Sequence, residues 1–176
     1  MTSDRGADAV TAFTKYDAQN IPVDESLLAP IGLMIWAAIR LQHEVRDTLG
    51  IQMGAGLSDA PFSSTLGGAI GLLEKAANSA GEPRRSAIAD WARVYGRPAA
   101  TLRDRITHAI AYTELDGTQA LKTSPNAKHP APQRITKELL EEAAGRLARA
   151  SIRLGEIRNS NQSVDELGGG FTQNHD

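Results

Sequence analysis

The chain has 176 residues, enough for one domain with a single sizeable core, and two independent catalytic domains are not expected. Nineteen Lys and Arg against 21 Asp and Glu give a net charge of −2, so no global basic field exists to hold a nucleic acid, and any such contact has to be local. The absence of cysteine excludes disulfide frameworks, cysteine-type zinc sites and thiol nucleophiles, while aromatics at 5% beside abundant alanine favour helix packed on helix over a β-sandwich.

Residues 1–22 are polar with scattered apolar side chains (Phe13, Tyr16, Ile21) and end at Pro22, the composition of a loose arm. MTSDRGADAV has no basic segment followed by an apolar one, so a cytoplasmic location is expected. The uncharged run from Leu27 to Ile39 is too short for a bilayer span of about 20 residues and reads as a buried helix, with no membrane partner. From Asp24 a helix is predicted to Leu49, with Ile31, Ile35, Ala38, Val45 and Leu49 at helical spacing and Gly50 as its stop. Pro30 leaves two arrangements open: a helix beginning near Ala29 with Pro30 in its first turn, or one that starts at Asp24 and kinks.

After the Gly-rich connection from Gly50 to Pro61, Ser63 or Ser64 can cap a second helix whose Leu66, Ala69, Ile70, Leu73 and Ala77 form one face. Gly67, Gly68 and Gly71 cost helix propensity there, and close approach of a neighbouring backbone is the expected reason for them. Pro83 opens a third segment with Ile88, Trp91, Ala92 and Tyr95; Gly96 and Pro98 interrupt it, by a kink or a turn, before a fourth helix from about Ala99 to Tyr112. Between Thr113 and Arg134 helical periodicity disappears, and the Asp116-Gly117 pair between two short segments reads as a small hairpin or an open loop. Thr136 caps a last helix with acidic residues early, Arg146, Arg149, Arg153 and Arg158 late, and a seam of Leu140, Ala143, Leu147, Ala150, Leu154 and Ile157. The expected fold is all-α: an antiparallel helical bundle of four to five helices over residues 23–158, with a short irregular or hairpin insertion before the last helix. Residues 159–176 are expected to form a disordered tail.

No phosphate loop, His-Glu-x-x-His zinc site, EF-hand loop or Gly-x-Ser-x-Gly elbow is present, so no metal or cofactor is expected. His175 lies in the tail, His129 in a proline-rich loop, and His43 beside Glu44 reads as a partly exposed helix residue. His108 stands in a richer setting, TLRDRITHAIAY. This segment resembles the signature of the HEPN superfamily (higher eukaryotes and prokaryotes nucleotide-binding), whose ribonucleases carry an Arg, often a polar residue next, and a His a few residues later. The matching positions are Arg103, Asp104 and His108, with Asp where Asn is more frequent. The resemblance extends to the order of elements: a long apolar first helix, SSTLGGAI opening the second, the motif late in the bundle, an irregular stretch and a final amphipathic helix, together about residues 24–158.

It implies a metal-independent endoribonuclease, the toxin of a toxin–antitoxin or phage-defence pair, with RNA, a second copy and an antitoxin protein as partners. His108 is then the general acid or base, Arg103 the phosphate ligand, Asp104 an orienting residue, and Arg105 and Tyr112 substrate contacts. At about 100° per residue, Arg103 and His108 lie about 140° apart on one straight helix and cannot reach the same phosphate. Either Arg103 sits at an irregular helix start or two copies pool Arg and His around a twofold axis, the arrangement the resemblance implies. The expected assembly is a homodimer with each His108 facing a shared cleft bordered by Arg103, Arg105 and Tyr112. Asp104, four residues before His108 on nearly the same face, is expected to orient the imidazole through its carboxylate. The competing reading is a non-catalytic helical interaction module in which these are ordinary surface charges.

Overall fold

The computed structural model describes residues 24–117, with a gap at 53–64, then 119–125 and 130–168; of residues 161–168 it describes the backbone alone. The polar arm at 1–22, the Gly-rich connection from residue 53 onward, His129 and His175 lie outside the described residues, while Gly50, the expected helix stop, is inside the first helix, which runs to Gln52.

Helix α1 spans Glu25–Gln52, so the chain takes the earlier of its two starts and Pro30 is inside the helix. Asp24 provides the cap: its Oδ1 accepts from the Ser26 N–H at 3.0 Å and from the Ser26 hydroxyl at 2.6 Å. Without an N–H, Pro30 leaves the Ser26 carbonyl lacking an intrahelical donor, which is tolerable because Ser26 is exposed. The buried stripe is Leu27, Met34, Ala37, Ala38, Leu41, Val45 and Leu49. Ile35, expected inside, is exposed, because the run from Leu27 to Ile39 is apolar on every side and periodicity alone does not choose which side turns inward.

Helix α2, Leu66–Ala77, is capped by Thr65, whose hydroxyl accepts from the Gly68 N–H at 3.2 Å, rather than by Ser63 or Ser64. Its expected face of Leu66, Ala69, Ile70, Leu73 and Ala77 is the buried one. Gly67 and Gly71 do not serve a close approach: a Cβ at either would meet nothing within 4 Å.

Helix α3, Arg84–Trp91, passes through a π-helical turn, Ala92–Gly96, into α4, Arg97–Thr107, so the Gly96-Pro98 break is a change of helical pitch within a continuous helix. The reason for Gly96 is Trp91, whose ring would lie 2.9–3.3 Å from any Cβ placed there. Trp91 itself is buried, and its indole N–H donates to the Ala150 carbonyl at 2.8 Å. Helix α4 stops at Thr107, short of the expected Tyr112, because Ile110–Thr113 form strand β1. Strand β2, Gln119–Lys122, pairs antiparallel with it, Ile110 opposite Lys122 and Thr113 opposite Gln119, around a turn in which Gly117 takes φ 88°. The Gln133–Ile135 segment then lies against β2 through the Thr123 N–H to Gln133 carbonyl and Ile135 N–H to Leu121 carbonyl bonds, both 2.8 Å, which delivers Ile135 into the core.

Helix α5, Lys137–Gly168, starts where Thr136 accepts from the Leu139 N–H at 3.3 Å, and its backbone stays helical past Asn159, where the tail was expected to begin. Its seam from Leu140 to Leu154 is buried. The segment α3–α4 runs antiparallel to α5, with Trp91 beside Arg153 and Ile157 and Pro98 beside Arg146 and Arg149. Helix α1 runs in the same direction as α5: Leu33 and Glu141 share one groove, and Glu44 meets Arg158 further along both helices. The result is a helical bundle with a short hairpin before its last helix.

Candidate functional site

The candidate site forms where α4 gives way to the hairpin. His108 is the residue after the last helical turn, at φ −99° and ψ 28°, and its backbone N–H donates to the Asp104 carbonyl at 3.1 Å. Its ring folds back onto the same carbonyl, with Nδ1 2.8 Å from the oxygen. A carbonyl only accepts, so this contact assigns the proton to Nδ1 and leaves Nε2 for an external proton or acceptor.

The orienting group is therefore the Asp104 backbone and not, as expected, its carboxylate. The carboxylate is taken by Arg103, whose Nη1 is 2.6 Å from Oδ1, an ion pair between chain neighbours. The sequence pattern could not separate the two, because both oxygens of Asp104 lie one turn before His108.

His108, Asp104 and Arg105 line a pocket of about 380 Å³ together with Thr101, Ser124 and Pro125. Arg105 enters it from the side where its Nη2 donates to Gln133 Oε1 at 3.4 Å, and its Nε is buried without a hydrogen-bond partner. Arg103 does not line this pocket, in keeping with its angular separation from His108. Tyr112 also leaves the group, contrary to the side it was expected to share with His108, because it stands on β1 rather than on a continued helix. Its hydroxyl donates to Glu114 Oε1 at 3.3 Å and its ring lies 5.0 Å beneath Lys122 Nζ, while Glu114 pairs with Arg134 at 3.0 Å. Thr101, Ser124 and Gln133 join the site without any motif to mark them; Ser124 arrives just past the end of β2, and Gln133 because the segment after the hairpin returns along β2.

The other histidine among the described residues, His43, is exposed on α1. Among the described residues no cluster of three or more His, Cys, Asp or Glu side chains is placed to hold a metal ion, and no helix is long and apolar enough to cross a membrane. No protein-family model, curated protein or solved structure matches the chain.

Proposed function

We propose that the protein is a metal-independent endoribonuclease that cleaves single-stranded or looped RNA through the RNA's own 2′-OH. The observation that carries this reading is the 2.8 Å contact between His108 Nδ1 and the Asp104 carbonyl, which holds the ring through Nδ1 at an open pocket that Arg105 also lines. Histidine is the side chain best suited to exchanging protons near neutral pH. Nε2 takes the 2′-OH proton as the new O2′–P bond forms, the P–O5′ bond breaks, and the leaving O5′ takes a proton from water, which the His108 imidazolium then replaces; the products are a 2′,3′-cyclic phosphate and a 5′-OH end. Arg105 holds the phosphate oxygens and stabilises their developing charge, the role first expected of Arg103. Arg103 acts at one remove, by pairing with the Asp104 carboxylate that would otherwise repel the phosphate. With Arg105 in the pocket, one chain supplies both a histidine and a guanidinium, and this chemistry does not depend on a second copy. Assignment as a toxin with an antitoxin partner rests on the HEPN resemblance of Arg103, Asp104 and His108.

The test is cleavage of end-labelled RNA in the presence of EDTA. The expected result is cyclic-phosphate ends from the native protein and a loss of about 10²–10⁴-fold in His108→Ala. Cleavage that survives both His108→Ala and Arg105→Ala, or intact RNA throughout, overturns the reading. In the second case the non-catalytic interaction module gains, a reading favoured by the apolar outer face of α1.

A further inference from the structure

Helix α1 buries one stripe and leaves another uncovered. Leu28, Leu33, Ile35, Trp36 and Ile39 are exposed on it, Trp36 at 62% and Leu33 at 55%, and Ile152 of α5 stands beside them at 62%. A helix apolar on all sides belongs in an interior, and this one has an interior on one side only. The six side chains expose roughly 600 Å², at the upper limit for the largest apolar patch of an ordinary monomer and near the ~800 Å² per partner of a standard interface.

The patch is also shaped. Leu33, Trp36, Ala37 and Arg40 from α1, with Glu141, Ala144, Gly145, Ala148, Ser151 and Ile152 from α5, line a groove of about 440 Å³. Gly32 on α1 and Gly145 on α5 have nothing within 4 Å of a built Cβ, so neither glycine serves a contact inside the chain. The same face thus carries a projecting indole and a groove floored by small residues. Its lining carries one charge of each sign, Arg40 on α1 and Glu141 on α5, the latter exposed and held only at 3.8 Å by Lys137 of its own helix. Holding both halves of a contact on one patch is the requirement for an isologous interface, in which a surface meets its own copy.

We propose that this face binds a second copy of the chain across a twofold axis, Trp36 of each copy seated in the other's groove and Arg40 of each facing Glu141 of the partner subunit. The dimer is held by α1 and α5, not by the RDRITH segment. The inference does not rest on the nuclease reading, because its measurement is mass rather than cleavage.

The test is sedimentation of the full chain at micromolar concentration. The native chain is expected as a dimer, and Trp36→Glu is expected to raise its dissociation constant at least about thirtyfold, the effect of losing a central aromatic anchor. Because Trp36 is exposed, helicity and melting of the separated chains should be retained. Arg40→Glu and Glu141→Arg should each weaken the dimer, and the double exchange should restore it. A native monomer, including one that associates only with a different protein, overturns the proposal. So does a dimer indifferent to Trp36→Glu, or a double exchange no better than either single variant.

Discussion

Helices α1 and α5 lie along one another and bury matching stripes, yet their outward faces are built from different chemistry. On α5 the outer surface is laced by ion pairs one turn apart: Lys137 with Glu141 at 3.8 Å, Glu142 with Arg146 at 2.5 Å and Arg153 with Glu156 at 2.8 Å. On α1 the corresponding surface from Leu28 to Ile39 holds no charge at all. The first pattern belongs to a helix whose other side is meant for water; the second belongs to a helix whose other side is meant for protein. Burial in a single chain therefore accounts for most of α5, leaving Ile152 and the groove floor beside α1, and for only half of α1.

The sharpest way to break this comparison is to truncate one leucine on each face. Leu147 is fully buried in the α5 seam, and Leu147→Ala should cost about 2–5 kcal/mol in chemical denaturation, since the cavity cannot collapse between two long helices. Leu33→Ala should leave the intrinsic stability of the chain within about 0.5 kcal/mol, while reducing the dependence of the melting temperature on protein concentration. Equal costs at the two sites would show that the outer face of α1 is already covered within one chain.

The same contrast explains what could be read from the residues. The α2 face and the α5 seam were legible because small and apolar residues alternate there with polar ones at helical spacing, leaving a single solution. On α1, Ala38, Val45 and Leu49 are inside as expected, but Ile35 is not, because the uniformly apolar run from Leu27 to Ile39 has no phase. At the candidate site, His108 and Arg105 were visible as chemistry-bearing types in RDRITH, but their surroundings were not. The four-residue strand β1 after α4 turned Tyr112 away, and the return of Gln133 beside β2 supplied a partner for Arg105 from 28 positions along the chain. Such long-range placement has no local sequence signal.

Next in size is Gly96, the residue that lets α3 and α4 join around the Trp91 ring. Gly96→Ala would gain helix propensity in an open helix, yet here its methyl would overlap a buried indole anchored to Ala150 at 2.8 Å. Overpacking should win, with a net loss of about 1–3 kcal/mol by thermal or denaturant unfolding. A stabilised variant would mean that Trp91 can move aside, and the packing of α3 on α5 would then be softer than that of α1 on α5. A smaller effect still is expected on the solvated side of α5: Arg146→Ala should cost about 0.3–0.5 kcal/mol and become neutral in high salt, because both partners are half exposed.

The smallest expected effect lies where the two helices share a charge. Glu44 of α1 sits 2.8 Å from Arg158 of α5, with Asp47 3.8 Å from the same guanidinium and Gly155 leaving room for the carboxylate, whose Oε1 would be 3.3 Å from a Cβ there. Burial holds the Glu44 carboxyl above the usual 4.5, and Asp47 pushes the same way, against the pull of Arg158 and Arg40. A carboxyl raised in the folded state binds its proton more tightly there than in the unfolded chain. Its contribution to stability is present below pH 4.5 and is lost as the pH climbs through the raised value. Glu82, lowered chiefly by its hydrogen bond from Ser86, and Glu138, lowered chiefly by its own backbone N–H, act with the opposite sign. They act equally in the native chain and in Glu44→Gln, so they cancel in the difference between the two. Unfolding free energies measured from pH 4.5 upward should show the native chain losing stability relative to Glu44→Gln; a difference independent of pH would mean that Arg158 offsets the whole cost of burying Glu44, and that the α1–α5 contact carries its charge as comfortably as the outer face of α5 carries its own.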